Sequence, residues 1–138
     1  MFRKIATLFC TAVALLLLFY ANSAPVFSGL SDKFTVYCFS HSSNAQAVAV
    51  SDFSARFILS KTGESFSVPK GNLSPEEIFS RYSAVLIKTE ETSEGVSYFA
   101  FSSKIRYKKT VDGKTFNIQV FVGEKTVTVG TPMIYGSY

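Results

Sequence analysis

The sequence predicts an α+β fold, a single helix packed on one face of a twisted antiparallel sheet whose last strands form a meander. Three observations carry this. "SPEEIFSRYS" (74–83) joins a capping signature to helical apolar spacing, and "KFTVYCFS" (33–40) alternates as a strand does. Asp112–Gly113 and Gly123–Glu124 are two tight-turn signals that register three C-terminal strands on one another.

In chain order, Arg3 and Lys4 precede "IATLFCTAVALLLLFYA", seventeen residues without a charge. This is the basic n-region and apolar h-region of an export signal, with Ala21 and Ser23 as the small residues for cleavage after Ser23. A retained anchor is the alternative: seventeen helical residues cover about 25 Å, against roughly 30 Å of hydrocarbon. In both cases Arg3 and Lys4 hold the N-terminus inside, so the domain is expected to be extracytoplasmic, secreted or membrane-anchored. Beyond residue 23 there remain 115 residues, with Cys38 as the sole cysteine, so no internal disulfide is expected. Twelve Lys/Arg against ten Asp/Glu after that position permit an anionic partner without demanding one.

Residues 24–32, "APVFSGLSD", are expected as a linker, and 33–138 as one domain. After the strand at 33–40 and a polar loop, "AVAVSDFSARFILSK" supplies one or two strands, with "RFILSK" (56–61) the better. "KTGE" reads as a turn and "SFSVPKG" as a short extended piece. The helix begins after Ser74, with Pro75 at its first position and Glu77 reaching back as in a capping box. Ile78, Phe79, Tyr82 and Val85 or Leu86 share its apolar side, and Glu77 and Arg81 are spaced to pair on the other. "VLIKTEE" and "GVSYFAFSS" flank a hairpin loop, "TSEG".

A two-residue turn at 112/113 sets 109 opposite 116, 107 opposite 118 and 105 opposite 120. A turn at 123/124 sets 120 opposite 127 and 118 opposite 129. One face then carries Ile105, Tyr107, Phe116, Ile118, Val120, Val127 and Val129, to be covered by the helix. The other carries Lys104, Arg106 and Lys108, with Asn117, Gln119, Phe121, Thr126 and Thr128. That face is a solvated surface or a platform for something anionic; Lys104, Arg106, Lys108, Gln119, Phe121 and Thr128 are the binding-surface candidates.

Catalytic signals are weak. Cys38 and His41 form a lone "CFSH", half a zinc site without a second pair, or a thiol beside a base. Alternation places Cys38 inside a strand, so a buried small hydrophobe beside a surface histidine is the simpler reading. The carboxylates sit beside turns or at the helix start, and no phosphate loop, G-x-S-x-G or H-E-x-x-H occurs. No metal and no cofactor is expected. Nucleic acid is not an expected partner, because the exported chain has so small a net charge.

"SYFAFSSKI", "DGKTFNIQVFV" and "VTVGTPMIYGSY" resemble the endings of small exported Firmicutes proteins of unassigned function. Residues 70–138 also resemble the C-terminal part of the YwmB-like group, whose fold is compared with TATA-box-binding protein. The resemblance implies a curved antiparallel sheet with a helix on it, and no DNA binding. The expectation is a non-enzymatic binding or assembly module of the cell envelope. Its alternatives are a small hydrolase using Cys38 and His41, or a domain that binds an anionic surface or polymer. Expected partners are an envelope protein, an anionic surface, a second copy, and the membrane through residues 1–23 if these are uncleaved.

Overall fold

A computed structural model describes residues 1–40 and 45–135, and its class is the α+β one that the sequence predicts. The expected N-terminal apolar segment forms helix α1 (Phe2–Asn22), none of whose residues is buried. Seven antiparallel strands then make one sheet: β1 (Lys33–Cys38), β2 (Gln46–Ser51), β3 (Lys61–Pro69), β4 (Val85–Thr92), β5 (Gly95–Phe101), β8 (Ile118–Gly123) and β9 (Thr126–Thr131). Their spatial order is β2-β1-β3-β9-β8-β5-β4, and β6 (Lys109–Val111) and β7 (Lys114–Phe116) form a separate hairpin. Helix α2 (Asp52–Ala55) is a single turn and α3 (Pro75–Tyr82) has two.

Local chemistry explains α3. Ser74 Oγ accepts from the Glu77 amide at 3.2 Å, and the Glu77 carboxylate accepts from the Ser74 amide at 2.7 Å. The box satisfies two orphan amides and is worth about 1 kcal/mol. It also holds the Glu77 carboxylate at the cap, and no Glu77–Arg81 ion pair forms among the described residues. Ile78 is fully buried, and Phe79 and Tyr82 pack on the same core as Phe34, Phe66, Ile118, Val120, Val127 and Val129.

Four expectations are corrected. The segment 24–32 is not a linker: Phe27 is fully buried, between Phe66 at 5.3 Å and Tyr82 at 5.6 Å. "RFILSK" is not a strand. Ser51 caps the turn α2, Arg56 pairs with Asp52 at 3.3 Å, and only Ile58 of the following apolar residues turns toward β1 and β2. The strand lies one step later, because Gly63 does not turn the chain there. It lets β3 pass close to β9, where a Cβ would strike Thr131 O and come within 2.9 Å of Pro132 Cδ.

The third correction concerns residues 103–108. Asp112 and Gly113 do turn the chain, at φ 51° and 75°, and Lys109 faces Phe116 as expected. Beyond that, β8 pairs with β5, Ala100 against Ile118 and Tyr98 against Val120, so the pairs 107/118 and 105/120 do not exist. The Asn117 side chain interrupts the ladder by bonding Ser102 and Ile105. Ile105 still enters the core and Tyr107 packs against it, while Phe116 departs to stack edge-on with Phe99 at 4.9 Å. The turn after β8 is two residues longer than expected, with Val122 opposite Val127 and Val120 opposite Val129. A slip of two preserves side-chain faces, so Ile118, Val120, Val127 and Val129 are buried as predicted.

The last correction is to the opposite face. Gln119, Phe121 and Thr128 are buried, not presented to water. Residues 132–135 fold back across them: the Ile134 amide donates to Gln119 Oε1 at 2.9 Å, and Gln119 Nε2 donates to Ser97 Oγ at 3.1 Å. Thr128 exchanges a 2.8 Å hydrogen bond with Ser67. The ladder ends at Thr131, before Pro132, and Met133, Ile134 and Tyr135 then serve as a cover.

Candidate functional site

The chemistry gathers where α1 joins the domain. Loop 102–108 is held there by Asn117, whose Oδ1 accepts from the Ser102 amide at 2.8 Å and whose Nδ2 donates to Ser102 O and Ile105 O. With Ile105 fixed inside, Lys104 and Arg106 are turned outward and exposed. Arg106 lies over its neighbour, its guanidinium 4.8 Å from the centre of the Tyr107 ring and Nη2 donating to the Tyr107 hydroxyl at 2.8 Å. Arg81, in the last turn of α3, approaches from the other side. Arg81, Lys104 and Arg106 line one cleft with Asn22, Ala24, Val26 and Tyr82, and among the described residues no carboxylate lines it. The Tyr82 hydroxyl forms part of its floor and donates to Val26 O at 2.9 Å.

A second cleft flanks the same chain segment, lined by Phe19, Asn22, Ser23, Arg56, Ile58, Leu59, Lys61 and Arg106. Here the cations are engaged. Lys61 Nζ donates to Ser23 O and Ala55 O, each at 2.9 Å, and Arg56 donates to Tyr20 O at 2.9 Å while lying 4.3 Å from the Tyr20 ring centre. Helix α1 has no basic residue in its own last turn, so the domain supplies the positive charge that its carbonyl end favours. Burial lowers the Lys61 pKa from its ordinary value, Glu64 opposes this, and Arg106 and Arg56 add to it.

Glu64 lies beneath this junction, fully buried. Its Oε1 accepts from the Phe27 amide at 2.8 Å; the Val26 amide is near the carboxyl, and Oε2 has no partner in hydrogen-bonding geometry. Burial raises the carboxyl pKa above 4.5, and the two amides, Lys61 and Arg106 reduce that rise. In the window between the ordinary and the raised value, the folded chain holds a proton that the unfolded chain has released. Glu64 therefore leaves stability fullest below the ordinary glutamate range and removes it as pH rises through the folded pKa. Glu64→Gln is expected to flatten that decline and to be the more stable protein near neutral pH. Denaturation midpoints of both proteins, followed from acid to neutral pH, check this. Parallel curves refute it.

The candidates named from sequence divide sharply. Lys104 and Arg106 share the first cleft. Lys108 is exposed on the same loop but does not line it, and Gln119, Phe121 and Thr128 lie in the interior of the opposite face. Cys38 is buried among Val36, Ala55, Val50 and Ile58. His41 lies outside the described residues. Helical spacing offers Arg81 only as a surface pairing partner of Glu77, and strand spacing offers Arg56 and Lys61 only as the ends of a strand. No periodic signal ties these three to residues 19–26, because the approach is tertiary. The arrangement defines an α+β domain with cations gathered around the root of an exposed apolar helix. No family model, curated protein or solved structure matches the chain.

Proposed function

We propose that the chain is an extracytoplasmic binding module of the cell envelope, tethered to the membrane by α1, whose cleft between Arg81, Lys104 and Arg106 takes the anionic headgroup of a membrane lipid. The observation that carries this reading is three cations lining a single cleft with no carboxylate among the described residues, beside the residues that follow an apolar helix. α1 has no buried residue and holds an 18-residue window of mean hydropathy 2.0; its 21 residues cover roughly 31 Å, with Arg3, Lys4 and Asn22 at the ends flanking the apolar run that enters the hydrocarbon. Three like charges converging on one cleft repel each other until a counter-charge enters, which favours an anionic occupant. The resemblance of residues 70–138 to exported proteins points to the same compartment. Hydrolysis by Cys38 fits poorly, since its thiol is buried among aliphatic side chains and out of a substrate's reach.

The test places the full chain in nanodiscs of neutral lipid or of neutral lipid mixed with phosphatidylglycerol, and follows acetylation of Lys104. Protection is expected in the anionic discs at low salt and its loss at high salt. Each basic residue near such a surface contributes about 1 kcal/mol. Replacing Arg81 and Arg106 with Ser is therefore expected to weaken the lipid's hold by roughly 2 kcal/mol, about thirtyfold. Equal acetylation in both kinds of disc, or protection indifferent to the two arginines, refutes the reading.

A further inference from the structure

Beside the cationic cleft the domain exposes a compact apolar patch that its own fold does not use. Phe53 is 61% exposed, Phe57 53% and Leu59 80%, all within α2 and the turn after it. Ala55 and Ile58 of the same segment point inward, against Val36, Cys38 and Val50. The segment is therefore two-sided, with its inner side anchored and its outer side bare. The Phe53 and Phe57 rings lie 5.1 Å apart, a contact that keeps the two as one surface.

Its position beside the end of α1 is the guide to what this surface meets. Phe53 and Phe57 lie 6.1 Å and 6.3 Å from the ring of Tyr20, in the last turn of α1, and Leu59 lines a cleft with Phe19. If α1 spans the bilayer, Phe19 and Tyr20 stand at the outer end of the hydrocarbon. The interfacial layer beyond it is roughly 5–8 Å thick on each side, from the difference between about 30 Å of core and 40–45 Å overall. Rings within about 6 Å of Tyr20 share its depth to within that layer. Aromatic side chains favour this zone, and apolar ones lose water by entering it. The connection is also short and tied: Arg56 bonds Tyr20 O in the last turn of α1, Lys61 bonds Ser23 O just beyond it, Pro25 is buried, and Phe27 is fixed in the core. The domain is not on a swinging tether.

We propose that residues 53–59 are a second membrane contact, an interfacial element whose Phe53, Phe57 and Leu59 enter the headgroup–acyl boundary of the bilayer that α1 crosses. This rests on the tether reading above and adds an orientation to it. The domain lies with α2 on the membrane, and Arg81, Lys104 and Arg106 are brought to headgroup level. The β4–β5 turn, at the end of the sheet away from Lys61 and the root of α1 by register, is carried away from the lipid.

The chain has no tryptophan, so single tryptophans report cleanly. Three variants of the full chain in nanodiscs, Leu15→Trp, Phe57→Trp and Glu94→Trp, are compared in ordinary and chain-brominated phospholipid. Quenching of Leu15→Trp and Phe57→Trp by brominated lipid, with a blue-shifted emission for both and neither effect for Glu94→Trp, is the result expected. Quenching at 15 with a solvent-like, unquenched signal at 57 overturns the second contact and leaves the tether standing. A blue shift at 57 without quenching assigns the patch to a protein partner or a second copy, and overturns it equally. No quenching at 15 overturns the tether and this proposal with it. Phe57→Trp conserves an exposed aromatic, and an unchanged denaturation midpoint establishes that the fold is intact.

Discussion

Phe27→Ala is expected to destabilise the folded domain by about 3–5 kcal/mol, the cost of truncating a fully buried phenylalanine to a methyl group. Phe27 has no exposed surface and stands edge-on to both Phe66 and Tyr82, with Phe34 packed on the far side of Phe66. Removing its ring opens a cavity between β3 and α3 that neither element can close, because each is fixed elsewhere by its own ladder or cap. The residue also fastens the chain: its amide donates to Glu64 Oε1, and the preceding carbonyl, Val26 O, accepts from the Tyr82 hydroxyl. Both bonds depend on the segment lying where the ring holds it. The expected result is a large fall in the denaturation midpoint of the full chain in neutral detergent, with faster hydrogen exchange across residues 24–32. Phe27→Leu, which keeps most of the volume, is expected to lose far less. If residues 24–32 are only a connector, Phe27→Ala leaves the midpoint unchanged, and the rigid attachment of α1 fails with it.

The features legible in the sequence are local or periodic. The cap at Ser74 and the turn at Asp112–Gly113 are written in adjacent residues, and both form. The inward faces of β8 and β9 are legible because alternation survives even the two-residue error in the turn between them. The illegible features depend on contacts between distant parts. Gly63 looks like a turn residue until Thr131 and Pro132 are seen pressed against it. Residues 132–135 have no strand pattern, yet their hydrogen bonds to Gln119 and Tyr37 convert an apparently wet face into an interior. The site divides in the same way. Lys104 and Arg106 stand out as a basic pair by their spacing, but alternation alone gives them the wrong neighbours. Their real neighbours, Arg81 and residues 22–26, are set by how α3 and the root of α1 pack.

Asn117 shows how a single polar side chain decides between the two topologies. "KIRYKKTVDGKTFNIQV" has the alternation of a long hairpin, and one hairpin pairing does begin, from Lys109 against Phe116. At the next residue the Asn117 side chain takes the Ser102 amide, the Ser102 carbonyl and the Ile105 carbonyl, while its backbone amide donates to Ala100 O. Three main-chain groups of the crossing loop are thus satisfied by a side chain with no exposed surface. This frees residues 103–108 from any ladder and leaves β8 to pair with β5 instead.

Asn117→Ala strands those three groups away from water. At roughly 1–3 kcal/mol for each unsatisfied buried group, partly relieved as the loop shifts, the expected loss is about 3 kcal/mol. Asn117→Asp preserves the acceptor facing the Ser102 amide but turns an oxygen toward two carbonyls. It is expected to be no better than Ala, and it separates the donor role from the acceptor role. Two measurements check the account: the denaturation midpoint, and hydrogen exchange of the Ser102 and Ile105 amides, which should quicken more than exchange in β1 or β2. The same loosening should reduce the lipid protection of Lys104, because Lys104 reaches the cleft only while the loop is pinned between Ser102 and Ile105. Full protection of Lys104 in a destabilised Asn117→Ala protein would mean that the cleft is not organised by this loop.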